Sequence, residues 1–348
     1  MTQALERSTP AGAPLLTSDS MAGALNQALA DALEADERVL VFGEDVGALG
    51  GVFRVTDKLT ARFGENRVFD TPLAEAGIVG SAIGMAMNGL RPVVEMQFDA
   101  FAYPAFEQIT SHLAKLHNRT RGRTELPIVV RIPYGGGIGG VEHHCDSSEV
   151  YYTATPGLRV VTPGTPEDAY RLLRQSIDSP DPVIFLEPKR RYWTKETAVL
   201  TLYGPALDQA VIRRLGADVP LITYGGLVAT ALEAAEAGTE EGWDIEVIDL
   251  RSLSPFDDAT VTASVRRTGR AVVMHEASGF CGYGAEVVAR LTEQCFHHLA
   301  APILRVTGYD IPYPPPKLEQ HHLPSVDRVL DAVARLQWDD RLDGDDSA

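Results

Sequence analysis

Short, almost uninterrupted runs of apolar residues recur along the first half of the chain, and most of them end in glycine, proline or an acidic residue. Such runs are typical of strands that are buried on both faces of a parallel sheet. Segments with helical spacing of apolar residues separate most of the runs, so the pattern predicts an α/β sheet with helices on both faces. The predicted strands are Arg38–Val46, Pro92–Phe98, Pro127–Ile132, Arg159–Thr162 and Pro182–Glu187, and the predicted helices include Asp19–Asp36, Ala105–Asn118 and Pro166–Ile177.

The pattern becomes irregular after Trp193 and resumes near Asp218 as a second series. Because a chain of 348 residues exceeds what one hydrophobic core usually supports, the sequence predicts two doubly wound α/β domains, residues 18–200 and 201–338. The second series comprises predicted strands Pro220–Tyr224, Ile245–Leu250, Ala271–His275 and Ile303–Val306, and predicted helices Leu227–Ala237, Asp257–Arg267 and Gly284–Leu299.

Three segments lie outside this alternation. Prolines prevent regular helix or interior strand in Ile311–Pro316, which we expect to be a rigid connector before a final helix, Val326–Leu336. Residues 1–17 carry neither a signal nor a transit pattern and are predicted to be disordered. Residues 339–348 form an acidic tail that is predicted to be frayed.

Composition excludes several classes of protein. No window approaches the roughly 18–20 apolar residues that a membrane span requires. Lys and Arg number 31 against 48 Asp and Glu, and the net charge of −17 opposes binding to nucleic acid or anionic lipid. The three cysteines, without CxxC spacing, indicate a reducing compartment, so we expect a cytoplasmic protein.

A formal G-x-G-x-x-G pattern occurs in Tyr134–Gly140 and raises the alternative of an NAD-dependent oxidoreductase. That fingerprint needs a helix that begins at the glycines and an acidic residue about 20 positions later. Here a polar loop, Val141–Ser148, follows the glycines, and the later position is apolar. The glycines are therefore expected to let this loop approach a ligand or partner closely.

One carboxylate, Glu75, stands at the start of a predicted helix of small and apolar residues. An acidic residue in a first helical turn stabilises the helix dipole, so Glu75 is either a capping residue or a catalytic one. The surrounding segments favour catalysis, because together they resemble the beta subunits of the E1 component of thiamine-diphosphate-dependent 2-oxoacid dehydrogenases, most of all the branched-chain enzymes. The segments that carry the resemblance are Asp70–Gly80, Arg91–Phe98, Tyr134–Gly140 and Pro182–Lys189.

The resemblance spans Ser18–Leu336 and implies a pyrimidine-binding domain followed by a transketolase-type C-terminal domain. It implies that Glu75 addresses the aminopyrimidine of thiamine diphosphate. Many relatives carry Asp-Tyr where this chain has Ala100-Phe101, so a hydroxyl is lost while an aromatic face is kept. The further cofactor-binding positions implied are Glu44, Leu73, Ala74, Gln97, Phe101, Ala102, Tyr103 and Pro104.

Enzymes of this class hold pyrophosphate and magnesium through a Gly-Asp-Gly segment, which the chain lacks. If Glu75 addresses the aminopyrimidine, the cofactor must lie between this chain and another. The resemblance implies an alpha subunit that holds Mg²⁺, an α2β2 heterotetramer, a lipoyl-bearing E2 core and a 2-oxoacid substrate. It also implies a structural K⁺ held by backbone carbonyls near Pro127–Val130 and Ser179–Asp181.

The run His143-His144-Cys145-Asp146 contains four residues that can ligate zinc, but adjacent side chains point apart and no second cluster completes a tetrahedral set. The sequence therefore predicts no metal site. In the resembling family a glycine-rich loop ends in a histidine followed by Ser-Gln-Ser-Pro-Glu, and His144, Ser147 and Glu149 match this pattern. The resemblance implies that His144 transfers a proton near the substrate or the lipoyl group, for which imidazole is suited.

Three alternatives remain open from the sequence. A related thiamine enzyme could act on pyruvate or acetoin, the chain could be a noncatalytic assembly subunit, or it could be the nicotinamide oxidoreductase. His275 and Glu276 at the end of a predicted strand are expected to have a structural or interface role.

Overall fold

The computed structural model describes residues 17–337. The predicted acidic tail 339–348 and the predicted disordered segment, apart from Thr17, lie outside the described residues. The strands are β1 (Thr17–Ser18), β2 (Val39–Gly43), β3 (Val68–Asp70), β4 (Arg91–Glu95), β5 (Val129–Tyr134), β6 (Arg159–Val161), β7 (Val183–Pro188), β8 (Ala198–Val199), β9 (Val211–Arg214), β10 (Val219–Thr223), β11 (Ile245–Asp249), β12 (Ser252–Ser254), β13 (Val272–Ser278) and β14 (Leu304–Gly308). The α-helices are α1 (Met21–Ala35), α2 (Leu59–Phe63), α3 (Glu75–Met87), α4 (Leu116–Arg119), α5 (Glu149–Thr153), α6 (Pro166–Asp178), α7 (Val228–Glu240), α8 (Asp258–Thr268), α9 (Tyr283–Cys295), α10 (Glu319–His322) and α11 (Val326–Leu336).

The first domain is built on a seven-stranded sheet in the order β12-β6-β7-β5-β4-β2-β3. Its strands are parallel except β12. Every residue of β2, β5 and β7 is buried, as the continuous apolar runs predicted. One face packs against α1 and α6, and the other packs against α3 and a π-helix at Gln108–Leu113.

The second domain has a five-stranded sheet in the order β14-β13-β10-β11-β9, in which only β9 is antiparallel. Helices α7 and α11 cover one face, while α8 and α9 pack in the same apolar cluster as α3 of the first domain. The predicted architecture of two α/β domains is confirmed. Among the helices of residues 17–337, none is both long and apolar enough to cross a membrane.

The two domains are joined by more than the connecting chain. Strand β12 belongs to the second domain by sequence, yet it pairs antiparallel with β6 and forms the edge of the first sheet. The buried Arg251 guanidinium donates to Asp168 Oδ1 of α6 at 2.9 Å and to the Gln209 carbonyl at 2.7 Å. These contacts fix the orientation of one domain on the other.

Two predicted segments differ from the structure. The helix expected over Ala105–Asn118 is replaced by the π-helix and the short α4, separated by two residues. Thr17, the last residue of the predicted disordered segment, pairs with Val199 because β1 and β8 form a two-stranded ladder.

Candidate active site

The first sheet has a topological switch point between β2 and β4, because β3 lies on one side of β2 and β4 on the other. Ligands of open α/β sheets bind in the crevice at such a point, beyond the carboxyl ends of the strands. Glu44 directly follows β2, and Gln97 lies two residues after β4. Gln97 Nε2 donates to Asp45 Oδ2 at 2.8 Å, so the structure brings the two strand ends together across this crevice.

Glu75 is the first residue of α3 and is buried, although its neighbours Ala74 and Ala76 are exposed. Glu44 is also buried, and its Oε1 has no hydrogen-bond partner among the residues that the structure describes. Burial raises the pKa of Glu44, and the negative charges of Glu75 and Asp45 raise it further. Two predicted site carboxylates therefore share one region, where an acceptor oxygen remains available to a donor on a ligand.

An aromatic cluster follows the end of β4. Phe101 lies in a 3₁₀-helix, Ala100–Ala105, and contacts Phe98 edge-on with 5.5 Å between ring centroids. The His144 ring lies 4.3 Å from Phe98 and 5.6 Å from Phe101, centroid to centroid. The predicted residues Phe101 and His144 are therefore brought together, although 43 positions separate them in the sequence.

His144 is half-buried at the end of a 3₁₀ turn, Glu142–His144. Burial lowers its pKa, and the positive charges of His143 and Lys189 lower it further. Its imidazole is consequently neutral at neutral pH and can accept a proton there.

The remaining predicted cofactor-binding residues differ in how far they are buried. Ala102 is completely buried and its methyl group packs in the apolar core rather than toward the crevice. Leu73 is 78% exposed, and Pro104 and Ala74 are exposed too. Tyr103 is partly exposed and donates a hydrogen bond to Asp146. Glu75 is thus flanked by a surface that this chain does not cover.

Two buried charged residues near His144 were missed by the sequence reasoning. Asp99 is completely buried, accepts from the Ser148 amide at 3.0 Å, and has a pKa that burial raises to about 7. Lys189 lies over the Phe98 ring at 5.9 Å and donates to the Pro133 carbonyl at 3.2 Å. Burial lowers the pKa of Lys189 to about 8, while the charge of Asp99 opposes that effect. The position of Lys189 at the end of a predicted strand was the only sequence signal for either residue.

A buried ion triad supports the strands that carry the site. Arg131 of β5 donates to Glu95 Oε2 of β4 at 2.6 Å and to both carboxylate oxygens of Glu187 of β7, at 2.7 and 2.9 Å. The hydroxyl of Tyr192 donates to Glu187 Oε2 at 2.5 Å. Because these groups fix three adjacent strands to one another, the crevice has a rigid floor.

We expected the glycine-rich loop not to begin an α-helix, and it does not. Instead the amides of Gly137 and Gly139 donate to Glu319 of the second domain at 2.9 and 3.2 Å. The amide of Gly136 donates to Glu276, which is also in the second domain. The partner that the glycines approach closely is therefore the other domain of the same chain.

Among residues 17–337, no group of three His, Cys, Asp or Glu side chains is placed to hold a metal ion. Near the carbonyls expected to hold a monovalent cation, Arg91 Nη1 donates to Ile177 O at 2.6 Å and to Ser179 O at 3.5 Å. Of these two oxygens, Ser179 O belongs to the expected set and Ile177 O does not, so the potassium site stays a prediction.

Two family models and one solved structure match this chain. The transketolase pyrimidine binding domain matches residues 18–194, and the transketolase C-terminal domain matches residues 208–329. The chain is similar in fold to a solved structure described as "Split gene transketolase, inactive beta4 tetramer", with a TM-score of 0.75 and 22% identity over 91% of this chain and 97% of that one.

Three curated relatives cover nearly the whole chain. The 3-methyl-2-oxobutanoate dehydrogenase subunit beta of Mycobacterium tuberculosis is 55% identical over 91% of each chain. The pyruvate dehydrogenase E1 component subunit beta of Leifsonia xyli is 54% identical over 92% of this chain and 96% of its own. The 2-oxoisovalerate dehydrogenase subunit beta of Pseudomonas aeruginosa is 47% identical over 93% of this chain and 96% of its own.

Proposed function

This chain belongs to the family of E1 beta subunits of the 2-oxoacid dehydrogenases, and we propose that it acts with an alpha subunit in the oxidative decarboxylation of branched-chain 2-oxoacids. The acyl group passes to the lipoyl group of an E2 core, in the cytoplasm. The observation that carries the proposal is the buried Glu75 carboxylate beside the unpartnered Glu44 oxygen, at a crevice with an uncovered rim.

The side chains at the crevice fit the aminopyrimidine half of thiamine diphosphate. The unpartnered Glu44 oxygen can accept a hydrogen bond from an amino group, and Phe101 offers an aromatic face for stacking. When bound, the cofactor supplies the nucleophilic carbon and the electron sink for decarboxylation. The buried Glu75 carboxylate would hold a proton toward a nitrogen of the bound pyrimidine ring.

The neutral His144 imidazole performs the second proton transfer. It could accept a proton from the substrate-derived hydroxyl group and deliver it to the sulfur that leaves when the lipoyl disulfide opens, because its lowered pKa leaves the ring uncharged at neutral pH. Phe98 and Phe101 flank the ring and restrict its orientation.

The alpha subunit supplies what this chain lacks. No Gly-Asp-Gly segment is present to hold pyrophosphate and Mg²⁺, and the exposed Leu73 and Pro104 leave the rim beside Glu75 open to a partner. The proposed assembly is an α2β2 heterotetramer with Mg²⁺ on the alpha subunit. A structural K⁺ held by backbone carbonyls near Pro127–Val130 and Ser179–Asp181 remains part of the proposal.

Calorimetry tests the divided site. Thiamine diphosphate with Mg²⁺ is titrated into this chain alone and into the chain coexpressed with a candidate alpha subunit. Binding to the pair and not to the single chain supports the proposal, whereas equally tight binding to the single chain contradicts it. A Glu75→Gln variant of the pair serves as the control for the pyrimidine contact.

A substrate panel then tests the specificity. Initial rates are compared for 2-oxoisovalerate, the other branched-chain 2-oxoacids, pyruvate and acetoin. Pyruvate is the second candidate, because the Leifsonia xyli subunit is nearly as similar as the Mycobacterium tuberculosis one. A higher kcat/KM for pyruvate would replace the branched-chain assignment. The nicotinamide alternative is not retained, because Glu276 and Glu319 already engage the glycine amides.

A further inference from the structure

The glycine-rich loop has an unusual backbone. Gly135, Gly137 and Gly139 have positive φ angles of 76°, 81° and 66°, while Gly136 and Ile138 between them do not. Alternation of left-handed and ordinary residues turns successive N–H groups toward one side and creates a concave anion-binding site. In many proteins such a site holds phosphate, but in this chain it holds a carboxylate of the second domain.

Glu319, the first residue of α10, occupies this concavity and is buried. Its Oε1 accepts from the Gly137 amide at 2.9 Å, from the Gly139 amide at 3.2 Å and from the Tyr313 hydroxyl at 2.7 Å. Its Oε2 also accepts from Gly139, at 3.2 Å. A buried carboxylate with several donors is strongly held, because hydrogen bonds to charged acceptors are the stronger ones.

The contact leaves no room for a side chain at position 136. A Cβ atom on Gly136 would lie 1.8 Å from Tyr313 Oη, which stands in the second domain beside Glu319. Glycine is therefore required at position 136 for close approach of the two domains rather than for a cofactor.

The same loop carries His144. The chain continues from the glycines through His144 to Asp146, and the Gly135 amide donates to the Asp146 carbonyl at 2.7 Å, which closes this segment into a loop. At Gly140 a Cβ atom would lie 2.9 Å from Cys145 Sγ and 3.4 Å from His144 Cβ, so little space separates this glycine from the start of the histidine side chain. A displacement of the glycine segment would therefore reach the backbone of His144 within a few residues.

We propose that Glu319 is a positioning residue for His144: from the second domain, it binds the alternating glycine amides and fixes the loop on which the imidazole stands. This inference deepens the proposed function and rests on it for the role of His144. It gives the second domain a part in the chemistry of a site that lies in the first.

Hydrogen exchange measured by mass spectrometry tests the contact between Glu319 and the glycine amides without any assay of activity. The assembled enzyme is compared with its Glu319→Ala, Glu319→Gln and Gly136→Ala variants, and Glu293→Ala removes an exposed glutamate of α9 as the matched control. In Glu319→Ala and Gly136→Ala the loop amides should exchange at least about tenfold faster, because the first removes the charged acceptor and the second displaces Tyr313, which donates to Glu319. Glu319→Gln keeps an acceptor oxygen and should restore much of the protection. Unchanged exchange in Glu319→Ala would overturn the proposal.

Kinetics test the positioning. Decarboxylation with an artificial electron acceptor and acylation of the lipoyl group are measured separately for Glu319→Ala and His144→Ala. Glu319→Ala should impair the same step as His144→Ala, by about tenfold, and leave the other within about twofold. Equal loss of both steps would indicate a merely structural role and refute the inference. If the wild-type pair shows no thiamine-dependent turnover, the proposed function fails. The exchange experiment still decides whether Glu319 holds the glycine amides.

Discussion

The hydroxyl of Tyr103 donates a 3.0 Å hydrogen bond to Asp146 Oδ2. Tyr103 lies in the 3₁₀-helix that carries Phe101, and Asp146 lies two residues after His144. Burial raises the pKa of Tyr103, and the charges of Asp99 and Asp146 raise it further, so the hydroxyl stays protonated as a donor. The bond therefore joins the stacking segment to the histidine loop.

Tyr103→Phe removes this bond and keeps the ring. We expect a loss of roughly 0.5–1.5 kcal/mol in the free energy of unfolding, the usual net value of one hydrogen bond, and a several-fold slower step that depends on His144. Urea denaturation and single-turnover kinetics measure the two effects. Tyr151→Phe is the matched control, because this exposed ring packs edge-on against Tyr103. Equal behaviour of the two variants would argue against a link between the segments.

Glu75→Gln should reduce kcat by at least about 10²-fold with the alpha subunit present, because the amide cannot take part in proton transfer. Its shape is nearly that of glutamate, so the melting temperature of the assembly should change little. Glu44→Gln removes the neighbouring carboxylate, and we expect it mainly to weaken cofactor binding. Near-normal turnover of Glu75→Gln would remove this residue from the mechanism.

The pH profile reports on His144. Its pKa is lowered by burial, so the neutral form persists to a lower pH than for a free imidazole, whose pKa is about 6.5. The acidic limb of the step that depends on His144 should therefore lie below about pH 6.5. Stopped-flow measurement of lipoyl acylation across pH checks this, and His144→Ala should remove the limb. A limb above that pH, or one that persists in the variant, would contradict the role.

His275 should make the protein less stable in acid. Burial lowers its pKa from 6.5 to about 4, so the unfolded chain binds a proton before the folded one does. Stability from this residue is complete above about pH 6.5 and is lost as the pH falls toward 4, by about 3 kcal/mol. His275→Asn should flatten the dependence of the unfolding free energy on pH in this window. Denaturation of both proteins at several pH values measures the difference, and parallel curves would show the prediction to be wrong.

Arg131→Leu should destabilise the fold by about 3–5 kcal/mol, because it leaves Glu95 and Glu187 buried without their cation. Arg62→Leu breaks the 2.5 Å contact with Glu34, but both side chains are exposed, so the expected cost is below about 1 kcal/mol. Chemical denaturation of the two variants gives the comparison. Similar losses would mean that the buried triad does not support the crevice.

Local patterns predicted the parts of the fold that local interactions determine. The final helix has the expected bounds, Val326–Leu336, because Ser325 caps its first turn and the apolar residues repeat with helical spacing. Strands β2, β5 and β7 were recognisable because burial on both faces requires uninterrupted apolar residues. Glu75 was proposed because it begins a helix of small residues within segments that resemble a known family, and the structure places it as the first residue of α3.

Contacts between distant segments could not be predicted in this way. The pairing of β12 with β6 has no signature in either three-residue strand, and the π-helix at Gln108–Leu113 has the same apolar spacing as an α-helix within the precision of the pattern. Nothing near Glu319 indicated that its carboxylate would meet glycines some 180 positions earlier. Such contacts depend on how the two domains are oriented, which a single sequence does not encode locally.

The pairing of β12 with the first sheet also has a consequence for synthesis on the ribosome. The first sheet is not complete when residue 200 has left the exit tunnel, since the edge of β6 stays unpaired until residues 252–254 have been added. An unpaired edge strand is a template for aggregation. A fragment that ends at the sequence boundary between the domains would keep that edge permanently bare, so the domain that carries Glu75 and His144 should be hard to produce on its own.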